Sequence, residues 1–257
     1  MPRVRRLLAA ACAIALGSAT LGACASEPHG VDLSGSWPTV AGPEDAATDA
    51  DPSLLVFGDS WTVGLASSTP TGGYAYLTGE LLGWDTTVDG ENGSGYLRPG
   101  EFGGLYGSRV VQLDPDLDPE IVVVQGSIND RGENLDRLSG AAQSVWRALE
   151  ALYPDAELVV LGPAPSTIPV ADTVGRIDRV LSRLAEREGV TYISPVQDEW
   201  ITSANYDDVI DTSSSGHNHP SDDGHAFLAE ALADHLRDLE PDESAVTAQD
   251  DDAADSE

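Results

Sequence analysis

Short apolar segments alternate with amphipathic helical segments through the middle of this chain, and the alternation limits its fold more than any other feature. The clearest apolar segment, EIVVVQGS at 120–127, shows no two-residue alternation, as expected for a strand covered on both faces. Further strands are predicted in SLLVFG (53–58), DTTVDG, AELVVLGPAP and VTYISP. Helices are predicted in GGYAYLTGELLG, SGAAQSVWRALEALYP, VADTVGRIDRVLSRLAEREG and SDDGHAFLAEALADHLRDL, the last with Ser221 as its N-cap. Repeated strand–helix units predict an α/β fold with a mainly parallel sheet of about five strands.

The N-terminal residues have the layout of an export signal. The basic start MPRVRR is followed by the apolar segment Leu7–Leu21, which is too short and too rich in alanine for a spanning helix. The following residues, LGAC, resemble a bacterial lipobox, in which the cysteine receives a lipid. We therefore expect a signal peptide at 1–23, a lipid on Cys24 and a polar linker over 24–51, with simple secretion as the alternative. The protein is then expected on the outer face of the cell membrane.

Composition limits the partners of the chain. The formal net charge is −31, and none of the 13 basic residues is a lysine. Such a charge repels phosphate backbones, so nucleic-acid binding is not expected. Cys12 and Cys24 are the only cysteines, and both precede the predicted domain, so no disulfide is expected within it. We predict one folded domain over 52–240, a disordered acidic tail over 241–257, and a monomer.

Polar residues follow four of the predicted elements. The first strand ends in GDS, which contains Ser60, and the second leads into ENGSGY. The third runs into Gly126-Ser127-Ile128-Asn129-Asp130, and a histidine-rich loop follows the last strand. Because the carboxyl ends of parallel strands share one edge of a sheet, these residues are expected to meet there.

These blocks, in this order, resemble the GDSL/SGNH hydrolases, a family of serine esterases and acyl hydrolases. FGDSWTVG resembles the first block, INDR the asparagine–aspartate block, and HPSDDGHAFLAEAL the histidine–proline block. The resemblance covers most of the predicted domain. It implies a flavodoxin-like three-layer α/β/α sandwich and hydrolysis of carboxylic esters without a metal or another cofactor.

The resemblance also implies a role for each site residue. Ser60 is the nucleophile and His219 the base that accepts its proton, because a serine hydroxyl is a poor nucleophile alone. The oxyanion of the tetrahedral intermediate is expected to bind the Ser60 N–H, a glycine N–H and the Asn129 side chain. For the glycine we favour Gly95 over Gly93, since Ser94-Gly95 aligns with the Ser-Gly pair of the family.

Two positions depart from the family pattern. An aspartate usually lies three residues before the catalytic histidine, and here that residue is Gly216. His219 could instead be oriented by a backbone carbonyl near Gly216, or by a carboxylate of the preceding loop, with Asp211 the nearest. The glycine that usually lies two residues before the asparagine is replaced by Ser127, and Gly126 comes one position early.

Other functions use the same residues differently. His217, His219 and His225, with Asp222 or Asp223, could form a metal site, although their spacing differs from the usual catalytic zinc motifs. A non-catalytic lipoprotein that binds glycans or lipids is a second alternative, and an acyltransferase of the cell envelope is a third. For a hydrolase, the substrate would be an ester of a small molecule, a lipid or a cell-envelope polysaccharide.

Overall fold

The computed structural model describes residues 52–239. The predicted signal peptide, the lipid on Cys24, the linker and the acidic tail lie outside these residues and stay predictions. Among the described residues, no helix combines the length and the apolar character needed to cross a membrane.

Five parallel strands form the central sheet, in the order β2-β1-β3-β4-β5. They are β1 (Ser53–Gly58), β2 (Asp85–Gly90), β3 (Ile121–Gln125), β4 (Glu157–Leu161) and β5 (Thr191–Ile193). In the centre of the sheet, Leu55 of β1 pairs with Val122 of β3, and Val124 of β3 pairs with Val160 of β4. All five predicted strands are present, and the predicted α/β fold is confirmed.

Helices connect the strands. They are α1 (Ser60–Val63), α2 (Tyr74–Leu82), α3 (Tyr106–Val110), α4 (Leu138–Leu152), α5 (Asp172–Glu188), α6 (Tyr206–Val209) and α7 (Asp222–Arg237). A short antiparallel pair, β6 (Ile210–Asp211) and β7 (His219–Pro220), precedes α7. The sequence predicted the four long helices but not α1, α3, α6 or this pair, because segments of two to five residues are too short to show a hydrophobic period.

The side chains of each central strand alternate between two separate apolar cores. Leu54 and Val56 of β1 pack into a core shared with α2 and α7. Leu55 and Phe57 face the opposite core, which α3, α4 and α5 complete. Burial of each such side chain contributes about 1.5–3 kcal/mol. The two cores make the three-layer arrangement, and both hold the strands in register at the edge where their carboxyl ends meet.

The start of α7 fixes the return of the chain to that edge. The Ser221 hydroxyl accepts a hydrogen bond from the Gly224 N–H at 3.0 Å, which confirms Ser221 as the N-cap. Asp222 and Asp223 follow in the first turn, where negative charge is favourable at a helix N-terminus. This well-defined start of α7 places His219 two residues before the cap.

Candidate active site

Ser60 lies at the sharp turn from β1 into α1. The Asp59 carboxylate caps the helix by accepting the Trp61 N–H at 2.9 Å, so Asp59 is the cap and Ser60 is the first helical residue. In that position the Ser60 N–H has no partner within its own helix. The turn thus places Ser60 at the carboxyl edge of the sheet.

His219 contacts Ser60 directly. Its Nε2 lies 2.8 Å from the Ser60 Oγ, although 159 residues separate the two in sequence. Its Nδ1 lies 3.0 Å from the Gly216 carbonyl oxygen. Because a carbonyl oxygen can only accept, Nδ1 carries the proton and Nε2 is free to accept the serine hydroxyl proton. Burial lowers the pKa of His219 below its usual value of 6.5, so the ring is neutral at pH 7.

Asp211 is a cross-strand neighbour of His219 but does not contact its ring nitrogens. Its carboxylate accepts the Ser213 N–H at 2.8 Å, and hydrogen bonding by Ser213 lowers the pKa of Asp211. A Cβ placed on Gly216 would overlap the Asp211 carboxyl group, so the usual family aspartate has no space at position 216. Of the two arrangements that the sequence left open, the structure has the backbone carbonyl, and Asp211 as the orienting carboxylate is wrong for this structure.

The glycine N–H available to an oxyanion belongs to Gly93. The Gly95 N–H donates to the Arg98 carbonyl at 2.9 Å, so the preference for Gly95 is wrong in this structure. Within residues 52–239, the Gly93 N–H has no hydrogen-bond acceptor. Gly93 has φ +73°, a left-handed conformation that favours glycine. The alignment with a Ser-Gly pair could not show which of the two N–H groups already has an acceptor.

The Asn129 side chain lies between the loops that follow β1 and β2. Its Nδ2 donates to the Ser94 carbonyl at 3.0 Å and to the Asp59 carboxylate at 3.1 Å. An oxyanion would take one of these two hydrogens, so its binding has to displace one of the two contacts. Burial raises the pKa of Asp59 to about 7, partly offset by the Trp61 N–H, and the nearby Asp130 raises it further.

The backbone conformation explains why the glycine before Asn129 lies at position 126, one residue earlier than in the family pattern. Gly126 has φ +121°, whereas Ser127 is extended with φ −128° and ψ 119°. A Cβ on Gly126 would also lie 2.7 Å from the Tyr106 hydroxyl oxygen. The conformation that favours glycine therefore lies at 126, whereas the φ and ψ of Ser127 are ones that any residue adopts.

Asp130 fixes the loop that follows Gly95. Its buried carboxylate accepts the N–H groups of Tyr96, Leu97 and Arg98 at 2.9–3.1 Å. Burial raises the pKa of Asp130, and these N–H groups oppose the rise. The INDR block therefore places Asn129 at the site and Asp130 beneath the neighbouring loop.

Sequence analysis missed Arg109, whose guanidinium is buried beneath the site. Its Nη1 donates to the Gly58 carbonyl at 2.7 Å and to the Ser94 Oγ at 2.8 Å. Its Nη2 donates to the Asp89 carbonyl at 2.8 Å and pairs with the Asp89 carboxylate, and Glu91 lies 3.7 Å from Nε. One cation thus links the end of β1 to the loop of Gly93. Nothing in the residues around Arg109 indicates partners 15 to 51 positions away.

His217 and His225, the two histidines nearest to His219 in sequence, have separate environments. His225 is buried, where Nδ1 accepts the Tyr74 N–H at 3.1 Å and Nε2 donates to the Leu65 carbonyl at 3.2 Å. His217 is exposed and has φ +52°. Within residues 52–239, no three His, Cys, Asp or Glu side chains are arranged to hold a metal ion.

Comparisons with known proteins show which sequences and structures this chain resembles. Residues 56–227 match the profile of a family described as the GDSL-like Lipase/Acylhydrolase family. A GDSL lipase of Mycobacterium tuberculosis is 29% identical over 196 residues, which cover 70% of this chain and 79% of the lipase.

Solved structures show the same fold. A carbohydrate acetylesterase from Sinorhizobium meliloti superposes with a TM-score of 0.59 at 17% identity. The superposition covers 74% of this chain and 100% of the acetylesterase. The aryl esterase of M. smegmatis gives a TM-score of 0.56 at 17% identity, covering 73% of this chain and 99% of the esterase.

Proposed function

Because this chain belongs to the GDSL-like Lipase/Acylhydrolase family and is a hydrolase that acts on ester bonds, we propose that it cleaves carboxylic esters through an acyl-enzyme on Ser60. The observation that carries the proposal is the 2.8 Å contact between the Ser60 Oγ and the His219 Nε2. It is a nucleophile–base contact with the base already in the correct tautomer.

The reaction proceeds in two halves. The Ser60 Oγ attacks the carbonyl carbon while its proton passes to the His219 Nε2. The tetrahedral intermediate collapses, the bond to the alcohol breaks, and the alcohol leaves with the proton from Nε2. Water then attacks the acyl-enzyme, gives one proton to Nε2, and the acid is released as Ser60 regains that proton. No group outside the chain is needed to balance either half.

Three donors would stabilise the oxyanion. They are the N–H groups of Ser60 and Gly93 and the amide of Asn129, which lie after β1, β2 and β3 respectively. Removal of one such donor typically lowers kcat by about 10²–10³-fold. We expect this loss for Asn129→Ala, measured on a soluble ester with thermal melting as the check on folding.

The base works as a dyad with the backbone. The Gly216 carbonyl holds the ring but carries only a partial charge, so it stabilises the imidazolium less than a carboxylate would. Burial lowers the pKa of His219, and among residues 52–239 no carboxylate contacts its ring nitrogens to oppose that shift. The dyad keeps the base neutral, and therefore active, down to mildly acidic pH.

A serine-specific test decides whether the site is catalytic. The full chain should hydrolyse p-nitrophenyl acetate, and Ser60→Ala and His219→Ala should each lose about 10⁴-fold or more in kcat/KM. Ser203→Ala and His217→Asn are the matched controls, because both residues are exposed and asparagine tolerates the left-handed conformation of His217. Both controls should stay within about threefold of the wild type. Absence of turnover and of fluorophosphonate labelling on Ser60 would instead favour a binding protein.

The same assay separates hydrolysis from acyl transfer. An added alcohol competes with water for the acyl-enzyme, so a transferase would form a new ester in proportion to the alcohol. A hydrolase should release acid as the main product at alcohol concentrations far below that of water.

The proposed location is the outer face of the cell membrane, through a lipid on Cys24. The support is the order of basic, apolar and small residues in the first 24 positions. Cells that express the full chain should hold it in the membrane fraction, and Cys24→Ser should release it. An unchanged distribution would refute the lipid anchor. In this location the substrate would be an ester of a small molecule, a lipid or a cell-envelope polysaccharide.

A further inference from the structure

A small apolar pocket lies at the carboxyl ends of β3, β4 and β5 and has no part in the mechanism above. Most of the residues that line it are apolar. Its walls include Trp61, Leu161, Ala164, Pro195, Trp200 and Leu228. Every one of these residues except Pro195 is a buried member of one apolar core, so the pocket has firm walls.

Two contacts place the pocket beside the nucleophile. Trp61 follows Ser60 in α1, and its ring lies 6.4 Å from the His219 ring between centroids. Gln125, a further lining residue, accepts the Asp59 N–H at 3.4 Å and the Thr62 hydroxyl at 3.2 Å. The pocket is therefore bounded by residues that directly contact the turn of Ser60.

The pocket and the oxyanion glycine lie on opposite sides of Ser60. In the sheet order, β2, which leads into the loop of Gly93, is on one side of β1, and β3, β4 and β5 are on the other. An ester whose carbonyl oxygen points to Gly93 therefore directs another substituent toward the pocket. That substituent is either the acyl chain or the alcohol.

We propose that the pocket binds the methyl group of an acetyl ester, which makes short-chain acyl esters the substrate class. This inference rests on the proposed function, with Ser60 as the nucleophile. The cavity has a volume of about 10 Å³, close to the ~10–15 Å³ needed to hold one water molecule. A methyl is the smallest carbon group that an acyl chain can place in so small a space, and an apolar wall binds it without unpaired polar atoms.

The acyl side is favoured over the alcohol for a chemical reason. The alcohol oxygen must meet the His219 Nε2 to receive its proton, and His219 is only half-buried, so this group leaves toward solvent. The acyl chain is the apolar part of an ester, and only an apolar group gains from this pocket. Trp61 borders both the pocket and His219, so it separates the side of the acyl chain from the side of the leaving alcohol.

The first test is an acyl-length series on the full chain. The p-nitrophenyl esters of acetate, butyrate, hexanoate and octanoate share one leaving group, so only the acyl chain varies. We expect kcat/KM for acetate to exceed that for butyrate by about tenfold or more, because one extra methylene in a filled pocket changes specificity by about 10–200-fold. Butyrate turnover equal to or above acetate turnover would overturn the inference.

The second test widens the pocket. Trp200→Phe removes one ring of a wall residue that is 8% exposed, and Trp84→Phe is its matched control. Trp84 is 7% exposed and belongs to the same core, but it precedes β2 at the opposite edge of the sheet. Trp200→Phe should raise the butyrate-to-acetate ratio of kcat/KM about tenfold, and Trp84→Phe should leave it unchanged. Leu228→Ala widens another wall and should shift the ratio in the same direction.

The outcomes separate this inference from the proposed function. Folded, active variants with an unchanged ratio would overturn the acyl pocket and leave the serine mechanism intact. A series of acetates with different alcohols should respond equally in wild type and Trp200→Phe, and a selective change there would assign the pocket to the alcohol. Loss of all ester turnover and of Ser60 labelling in the wild type would overturn the proposed function and this inference with it.

Discussion

Asp211→Asn is the substitution that most directly tests how His219 is held. The change removes the charge of the carboxylate but keeps its shape. Its present role is to accept the Ser213 N–H at 2.8 Å, and an asparagine oxygen can accept the same bond. The pairing of Asp211 with His219 through the backbone of β6 and β7 is also preserved.

The expected effect is small because the ring has another partner. The His219 Nδ1 lies 3.0 Å from the Gly216 carbonyl, which the substitution does not touch. We expect kcat/KM to stay within about threefold, which corresponds to about 0.7 kcal/mol. In enzymes with a Ser-His-Asp triad, the same change lowers kcat by about 10⁴-fold, or about 5 kcal/mol. The two arrangements therefore differ by more than three orders of magnitude in rate.

The assay is steady-state hydrolysis of p-nitrophenyl acetate by the full chain, with thermal melting as the check on folding. A loss of 100-fold or more in kcat/KM by a folded Asp211→Asn variant would refute the dyad. Gly216→Asp is the companion variant. It should lower the melting temperature, because its Cβ would overlap the Asp211 carboxyl group, and Asp211→Gly should restore part of the loss.

Three further predictions concern the charges around the site. Arg109→Met should lower the free energy of unfolding by about 3–5 kcal/mol and should also lower kcat, because it leaves Glu91 and Asp89 without their cation. Urea unfolding and steady-state kinetics measure the two effects, and Arg109→Lys should recover part of each loss. An unchanged unfolding curve would contradict the role of Arg109 in linking these segments. On the acid side of the pH–rate profile, kcat/KM should fall with a midpoint below pH 6.5. Only the neutral ring of His219 accepts a proton, and burial lowers the pKa of that ring, so activity falls as pH falls through the lowered pKa. A midpoint at or above pH 6.5 would contradict this prediction. Asp59 binds a proton more tightly in the folded state, with a pKa of about 7 against 3.8, so its contribution to stability is present at low pH and declines as pH rises from about 4 to 7. The difference in unfolding free energy between wild type and Asp59→Asn should therefore change by at most about 4 kcal/mol over that pH range. The histidines titrate in both proteins, so their contributions cancel in this difference. A difference that stays constant with pH would refute the raised pKa of Asp59.

The strands and long helices were predictable because their signal is local. Residues of β1 and β2 carry strand signals over six positions, and the predicted limits of 53–58 match the structure. The Ser221 cap was also local, since its partner is three residues away. By contrast, α3 has five residues, fewer than two helical turns, and its hydrophobic period is not visible in the sequence.

The roles of individual backbone groups were not predictable. Gly93 and Gly95 have the same chemistry and neighbouring positions, and only the loop conformation decides that the Gly95 N–H is used by Arg98. The orientation of His219 likewise depends on where the Gly216 carbonyl points. No residue type encodes these directions, because every residue other than proline carries the same backbone donor and acceptor.

The sequence by itself determined the α/β architecture, the edge of the sheet that holds the site and the pair Ser60 and His219, because periodicity and motif order are properties of the chain. The tertiary structure decided how that pair is completed. Arg109 joins segments up to 51 residues apart, and the pocket beside Trp61 combines the ends of three strands with α7. Such contacts arise only when packing brings distant segments together, so the pairing of Ser60 with His219 could be predicted from the sequence, whereas the choice between Gly93 and Gly95 and the size of the pocket could not.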